Sequence, residues 1–147
     1  MKLKNKVAII TGGAGSIGKA IGQQLADEGA VIAVVDLNID QAKSVADQFN
    51  QSGKNAIAVE VDVRDRQSVN TMVQTVMQQC GRIDILVNNA GGSARGDCAL
   101  FHQSKDEVVD RVIQINLMGS IYCIRAAVEY MVKQQSGKII NIGSIVG

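Results

Sequence analysis

Proline is absent, and histidine occurs once, as His102. Without proline-rich stretches, repeats or low-complexity segments to divide it, the 147-residue chain reads as a single domain over 1–147. One histidine argues against a Ser-His-Asp triad and against a multi-histidine metal centre, so no metal is expected. Cysteine is scarce and odd in number: Cys80, Cys98 and Cys123 are widely spaced and form no metal or redox motif. They read as reduced thiols of a cytoplasmic protein. Neither charge sign dominates, at 15 Lys plus Arg against 14 Asp plus Glu. No basic stripe points to nucleic acid. No apolar run approaches the ~18 residues of a membrane span. The basic start, Met1 to Lys6, leads only into a short strand and a polar turn, unlike a signal peptide. What is present is 46% hydrophobic and 20% charged residues, a globular composition able to bury a core.

The chain is organised around one stretch. Val7-Ala8-Ile9-Ile10 is a short apolar run, followed by Thr11-Gly12-Gly13-Ala14-Gly15-Ser16-Ile17-Gly18. Apolar residues then recur at Ile17, Ala20, Ile21 and Leu25, a helical spacing. A buried strand therefore runs through a glycine turn into a helix N-terminus. Such an N-terminus has unpaired N–H groups and partial positive charge, and glycines let a pyrophosphate approach the backbone. Gly13-x-Gly15-x-x-Gly18 has the G-x-G-x-x-G spacing of dinucleotide sites. No Gly-Lys-Ser/Thr follows, which excludes a P-loop.

Strand and helix patterns alternate along the rest. Strands are predicted at 6–11, 31–35, 56–61, 83–87 and 138–142. Helices are predicted at 16–28, 40–51 and 65–80, with Asp65 as a cap. A long, mostly helical segment covers 104–135, bent or closely approached at Gly119-Ser120. Small residues fill 88–96. The alternation predicts an α/β fold, a doubly wound, Rossmann-like parallel sheet with five strands present in the order 3-2-1-4-5. Ligands of such sheets bind beyond the C-terminal strand ends.

Candidate site residues gather at those ends. Asp36, with Leu37 behind it, follows the second strand eighteen residues after Gly18. A carboxylate there accepts from adenosine ribose hydroxyls and repels a 2′-phosphate, which favours NAD over NADP. Its plainer role is a solvated strand end. Asp62-Val63 follows the third strand, where the aspartate could accept from an adenine amino group and the valine pack beside the ring, or the aspartate could cap a turn. Asn88-Asn89-Ala90-Gly91 follows the fourth, as strand ties with room for a sugar or as an ordinary turn.

Taken together, Thr11-Gly12-x-x-x-x-Ile17-Gly18, Asp36, Asp62-Val63, Asn88-Asn89-Ala90-Gly91, Asn116 and Gly143-Ser144 resemble the short-chain dehydrogenase/reductase family in its compact form. The turn departs from the family's usual Thr-Gly-x-x-x-Gly-x-Gly, with Gly15-Ser16 in place of a glycine at position 16. The resemblance implies cofactor contacts from Gly12, Gly13, Gly15, Ser16, Ile17, Gly18, Asp36, Leu37, Asp62, Val63, Asn89, Ala90 and Gly91. It implies hydride exchange between NAD(H) and a small carbonyl or alcohol. Asn116 would hold a water in a proton relay, on an otherwise apolar helix face. Ser144 would hydrogen-bond the substrate oxygen.

The family's general acid is a tyrosine with a lysine four residues on. Tyr122 and Tyr130 have Ala126 and Gln134 at that spacing, so neither fits. The chain is expected to be the cofactor-binding, N-terminal portion of such an enzyme, inactive alone. An apolar edge at 139–142 and the long helix predict marginal stability alone or a homo-oligomer. The alternative is a shortened, non-catalytic nucleotide-binding or interaction protein. A methyltransferase-like binder is disfavoured by Asn-Asn-Ala-Gly and Gly-Ser at matching strand ends.

Overall fold

The computed structural model describes residues 1–93 and 100–144. Cys98, the last residues of the small-residue stretch and the tail after Ser144 lie outside the described residues.

Five parallel strands form one sheet in the order β3-β2-β1-β4-β5: β1 Val7–Thr11, β2 Val31–Asp36, β3 Asn55–Glu60, β4 Ile85–Asn88 and β5 Lys138–Asn141. This is the expected topology. The inner strands are apolar at nearly every position because both faces are covered. On one face lie α1 Ser16–Asp27 and α2 Ile39–Gln51. Their Ala26, Ala42, Val45, Ala46 and Phe49 pack on Ala8, Ile10, Ile32, Val34 and Val87. On the other lie α3 Arg66–Cys80 and α5 Gly119–Lys133. Val69, Met72, Val73, Val76, Cys123, Ala127 and Met131 pack there on Ile9, Ala33, Val35 and Leu86. Burial pushes the Cys123 thiol up to about 12, so it stays protonated in the core.

Local chemistry sets the ends. Asn38 caps α2 through the Gln41 N–H at 3.1 Å, and Asp65 caps α3 through the Gln67 N–H at 2.9 Å. At the N-terminal edge of the sheet, Asp84 enters β4 and is almost wholly buried. Its carboxylate accepts from the Val7 N–H and Lys6 Nζ, each at 3.0 Å, and from Arg82 Nε and Nη2, each at 2.7 Å. Burial alone would raise its pKa, but the Arg82, Val7 and Lys6 contacts outweigh it and hold the group at about 2.

The long segment is helical as expected, running without interruption through α4 Asp106–Ile113, an unexpected π turn at Gln114–Met118, and α5. Gly119 is closely approached, the second of the two roles expected of it: Val63 Cγ2 lies 2.9 Å from the place a Cβ would occupy. β5 is one of the two edge strands, exposed along its length, with Ile139, Ile140 and Ile142 partly in solvent.

Candidate active site

β1 ends at Thr11, whose hydroxyl oxygen accepts from the Asn89 and Ala90 N–H groups at 3.1 and 3.0 Å. Asn89 Nδ2 donates back to the Thr11 and Gly12 carbonyls, both at 3.1 Å. The glycine turn is thus laced to the end of β4. Asn89 reaches the site, but its amide nitrogen is engaged by the protein itself.

The turn needs glycine for two different reasons. Gly12 has φ +62, and a Cβ there would meet Ala90 Cα at 3.0 Å. At Gly18 a Cβ would run into the Gly12 carbonyl oxygen and lie 2.8 Å from Gly13 Cα. Gly15 is unlike both. Its φ is −72, and a Cβ would meet only the Gly12 oxygen at 3.4 Å. The fold tolerates a side chain at Gly15; only a close-lying ligand would not. Gly15 is the N-cap of α1 and supplies no side-chain cap, so the first-turn N–H groups of α1 have no capping oxygen from it. This answers the departure at Gly15-Ser16: the helix begins at Ser16 with its open end at the turn.

Around that end is a cleft of about 610 Å³ lined by Gly12, Gly15, Ser16, Ile17, Asp36 and Leu37. Asp62, Val63, Arg64, Asn89, Ala90, Gly91 and Ile115 also line it. Gly13 and Gly18 support the turn from behind. Ile17 and Leu37 are apolar yet 62% and 60% exposed at the rim. Asp36 is fixed by the Ala14 and Asn38 N–H groups, each 3.2 Å from a carboxylate oxygen. Val63 serves chiefly as core, at 9% exposure. Asp62 also takes part in the local turn, with its Oδ1 accepting from the Arg64 N–H at 2.9 Å. Arg64 grips it through Nε at 2.9 and 3.2 Å and Nη2 at 2.7 Å, and that guanidinium holds the Asp62 carboxyl below its ordinary value. Nothing in the residue spacing marks Arg64 for this contact.

Asn116 sits in the π turn. Its Oδ1 accepts from the Gly92 N–H at 3.1 Å, and its Nδ2 donates to the Gly92 and Val112 carbonyls at 2.8 and 2.9 Å. It is exposed rather than buried on an apolar face, a correction to the sequence expectation. The clasp ties the long helical segment to the chain leaving β4. Asn88 is buried, and its Nδ2 donates to Asn141 Oδ1 at 2.8 Å, while its Oδ1 has no partner among the described residues. Ser144 follows β5 at the same edge of the sheet, exposed. Tyr122 and Tyr130 lie elsewhere, lining a groove between α3 and α5 under Arg66 and Lys133.

Residues 6–147 match the family described as short chain dehydrogenase. The chain belongs to that family. It is 37% identical over 147 residues to 3-oxoacyl-[acyl-carrier-protein] reductase FabG of Thermotoga maritima, covering 100% of this chain and 58% of that protein. It is 33% identical over 144 residues to the (2S)-[(R)-hydroxy(phenyl)methyl]succinyl-CoA dehydrogenase subunit BbsD of Thauera aromatica, covering 98% of this chain and 57% of that one. The solved structure of NAD+-bound xylitol dehydrogenase superposes with a TM-score of 0.94 at 32% identity, over 100% of this chain and 56% of the other. The chain thus spans a little over half the length of these relatives. No described helix is long and apolar enough to cross a membrane. Among the described residues no cluster of His, Cys, Asp or Glu is placed to hold a metal.

Proposed function

We propose that this chain is the cofactor-binding portion of an NAD(H)-dependent short-chain oxidoreductase that interconverts a carbonyl and an alcohol. The observation that carries the reading is the cleft at Gly15. The fold leaves room there that it does not itself require, at an open helix N-terminus and beside a fixed carboxylate. The residues fit a dinucleotide. The first-turn N–H groups of α1 would hold the pyrophosphate. Asp36 keeps lone pairs for ribose hydroxyls and would repel a 2′-phosphate, which favours NAD over NADP. Leu37 and Ile115 offer apolar walls, with Asp62 and Val63 at the base end and Ala90 and Gly91 toward the nicotinamide. The NAD+ bound by the xylitol dehydrogenase neighbour supports the same choice. When bound, the cofactor supplies or takes up a hydride.

The chain's own part is to orient. Ser144 would donate its hydroxyl hydrogen to the substrate oxygen as charge grows there. Asn116 would fix the π turn beside the site, and its engaged side chain favours that positioning role over direct contact with a relay water. Neither tyrosine reaches the cleft, so the 147 residues alone should not turn over by the tyrosine–lysine mechanism. Exposed Ile113, Leu117 and Ile121, at helical spacing, support a homo-oligomer formed through the long helical segment. The free thiols Cys80 and Cys123 suit a cytoplasmic protein.

The test is turnover of a panel of small ketones by the protein at its natural length and by residues 1–147 alone. NADH-dependent reduction by the first, slower with NADPH, and none by the second is the expected result. Reduction by the 147-residue chain, or a preference for NADPH, would contradict it.

A further inference from the structure

Arg64 and Asp62 form an ion pair that folding alone does not explain. They stand two residues apart in the loop before α3, with side chains 45% and 29% exposed, and an exposed pair contributes little to stability. Yet the contact is a close fork, reinforced by the Arg64 N–H on Asp62 Oδ1 at 2.9 Å. Both side chains line the cleft, on the wall that also carries Val61 and Val63. The ligand there therefore meets an acceptor and a donor side by side. Arg64 places three N–H groups on the carboxylate, its backbone N–H and Nε on Oδ1 and Nη2 on Oδ2, which leaves an acceptor position on Oδ2, and the guanidinium keeps its Nη1 N–H groups clear of Asp62.

A purine edge also presents two adjacent groups. Adenine offers a donor at its 6-amino group and an acceptor at N1. Hypoxanthine offers the reverse, an acceptor at its 6-oxo group and a donor at N1. A lone carboxylate can serve only the first at the 6-position and faces the second oxygen to oxygen. A carboxylate held beside a guanidinium serves either order. We propose that Arg64 is a specificity-determining residue that lets the cleft accept 6-oxo-purine as well as 6-amino-purine dinucleotides. The inference rests on the dinucleotide reading above.

The experiment is a binding titration of the natural-length protein and its Arg64→Ala and Arg64→Gln variants. The probes are NADH and its hypoxanthine analogue, followed by nicotinamide fluorescence. Wild type should bind the two within about 5-fold. Loss of a charge-assisted hydrogen bond should weaken the 6-oxo analogue by about 10-fold or more in both variants. NADH should weaken by no more than about 3-fold, since it keeps Asp62. An unchanged melting temperature excludes a folding defect at this exposed position. If wild type rejects the 6-oxo analogue, or if the variants lower both affinities equally, the assignment to Arg64 is overturned while NADH binding stands. If wild type binds neither probe, the dinucleotide reading fails and this inference falls with it.

Discussion

The two ends of the parallel sheet use a carboxylate in opposite ways. At the N-terminal end Asp84 is buried and saturated by two cations and a backbone N–H. At the C-terminal end Asp36 is held only by two backbone N–H groups at 3.2 Å, and no ion pair to it appears among the described residues. The first group is consumed by the fold. The second is positioned but left with acceptor capacity facing a cleft. Glycine shows the same division within the turn, where Gly12 and Gly18 are demanded by neighbouring atoms and Gly15 is not. A site is marked by what the fold leaves unused as much as by what it assembles.

Substitutions at the two ends should separate along that line. The largest effect belongs to Gly18→Ala, because its Cβ has nowhere to go against the Gly12 and Gly13 backbone. A loss of about 3 kcal/mol is expected in chemical denaturation, together with loss of NADH binding. Thr11→Val comes next. It strands the Asn89 and Ala90 N–H groups and should cost about 2 kcal/mol, with weaker cofactor binding because the turn loosens.

Asp84→Asn should cost about 1 to 2 kcal/mol at neutral pH and leave cofactor affinity unchanged, since the group lies at the far end of the sheet. Its pH signature has a definite sign. The folded pKa of about 2 lies below the ordinary carboxylate value, so the stabilisation is fully present above about pH 4 and is lost as pH falls through 2. Wild type should lose about 2 kcal/mol over that window from this group, and the variant should show a correspondingly flatter acid limb.

Much of this was legible in the chain. Continuous apolar runs alternating with 3.6-residue patterns reveal buried parallel strands and their helices, and Asp65 announces its helix by its place before Gln67. The strand order follows from the connection rules. The π turn was not legible, because the apolar spacing through Val109, Val112 and Ile113 runs into it without a break. Asn116 accordingly looked like a buried polar group on an apolar face, whereas it reaches outward to Gly92. The Asp84 clamp was hidden inside what reads as an apolar strand entry. Arg64 was hidden because a pair two residues apart in a loop leaves no periodic trace. These misses are a backbone irregularity and individual side-chain contacts, neither of which residue spacing encodes.

The claim that the C-terminal end is kept for a dinucleotide is tested most directly by Gly15→Val. The backbone there is ordinary, with φ −72 and ψ 163, so the fold should lose only about 1 kcal/mol for the changed cap. Calorimetric titration with NADH should show one saturable site in wild type, weakened about 30-fold or more in Gly15→Val by a side chain standing where the pyrophosphate must approach. Unchanged NADH affinity in the folded variant, or no binding by wild type, would contradict it.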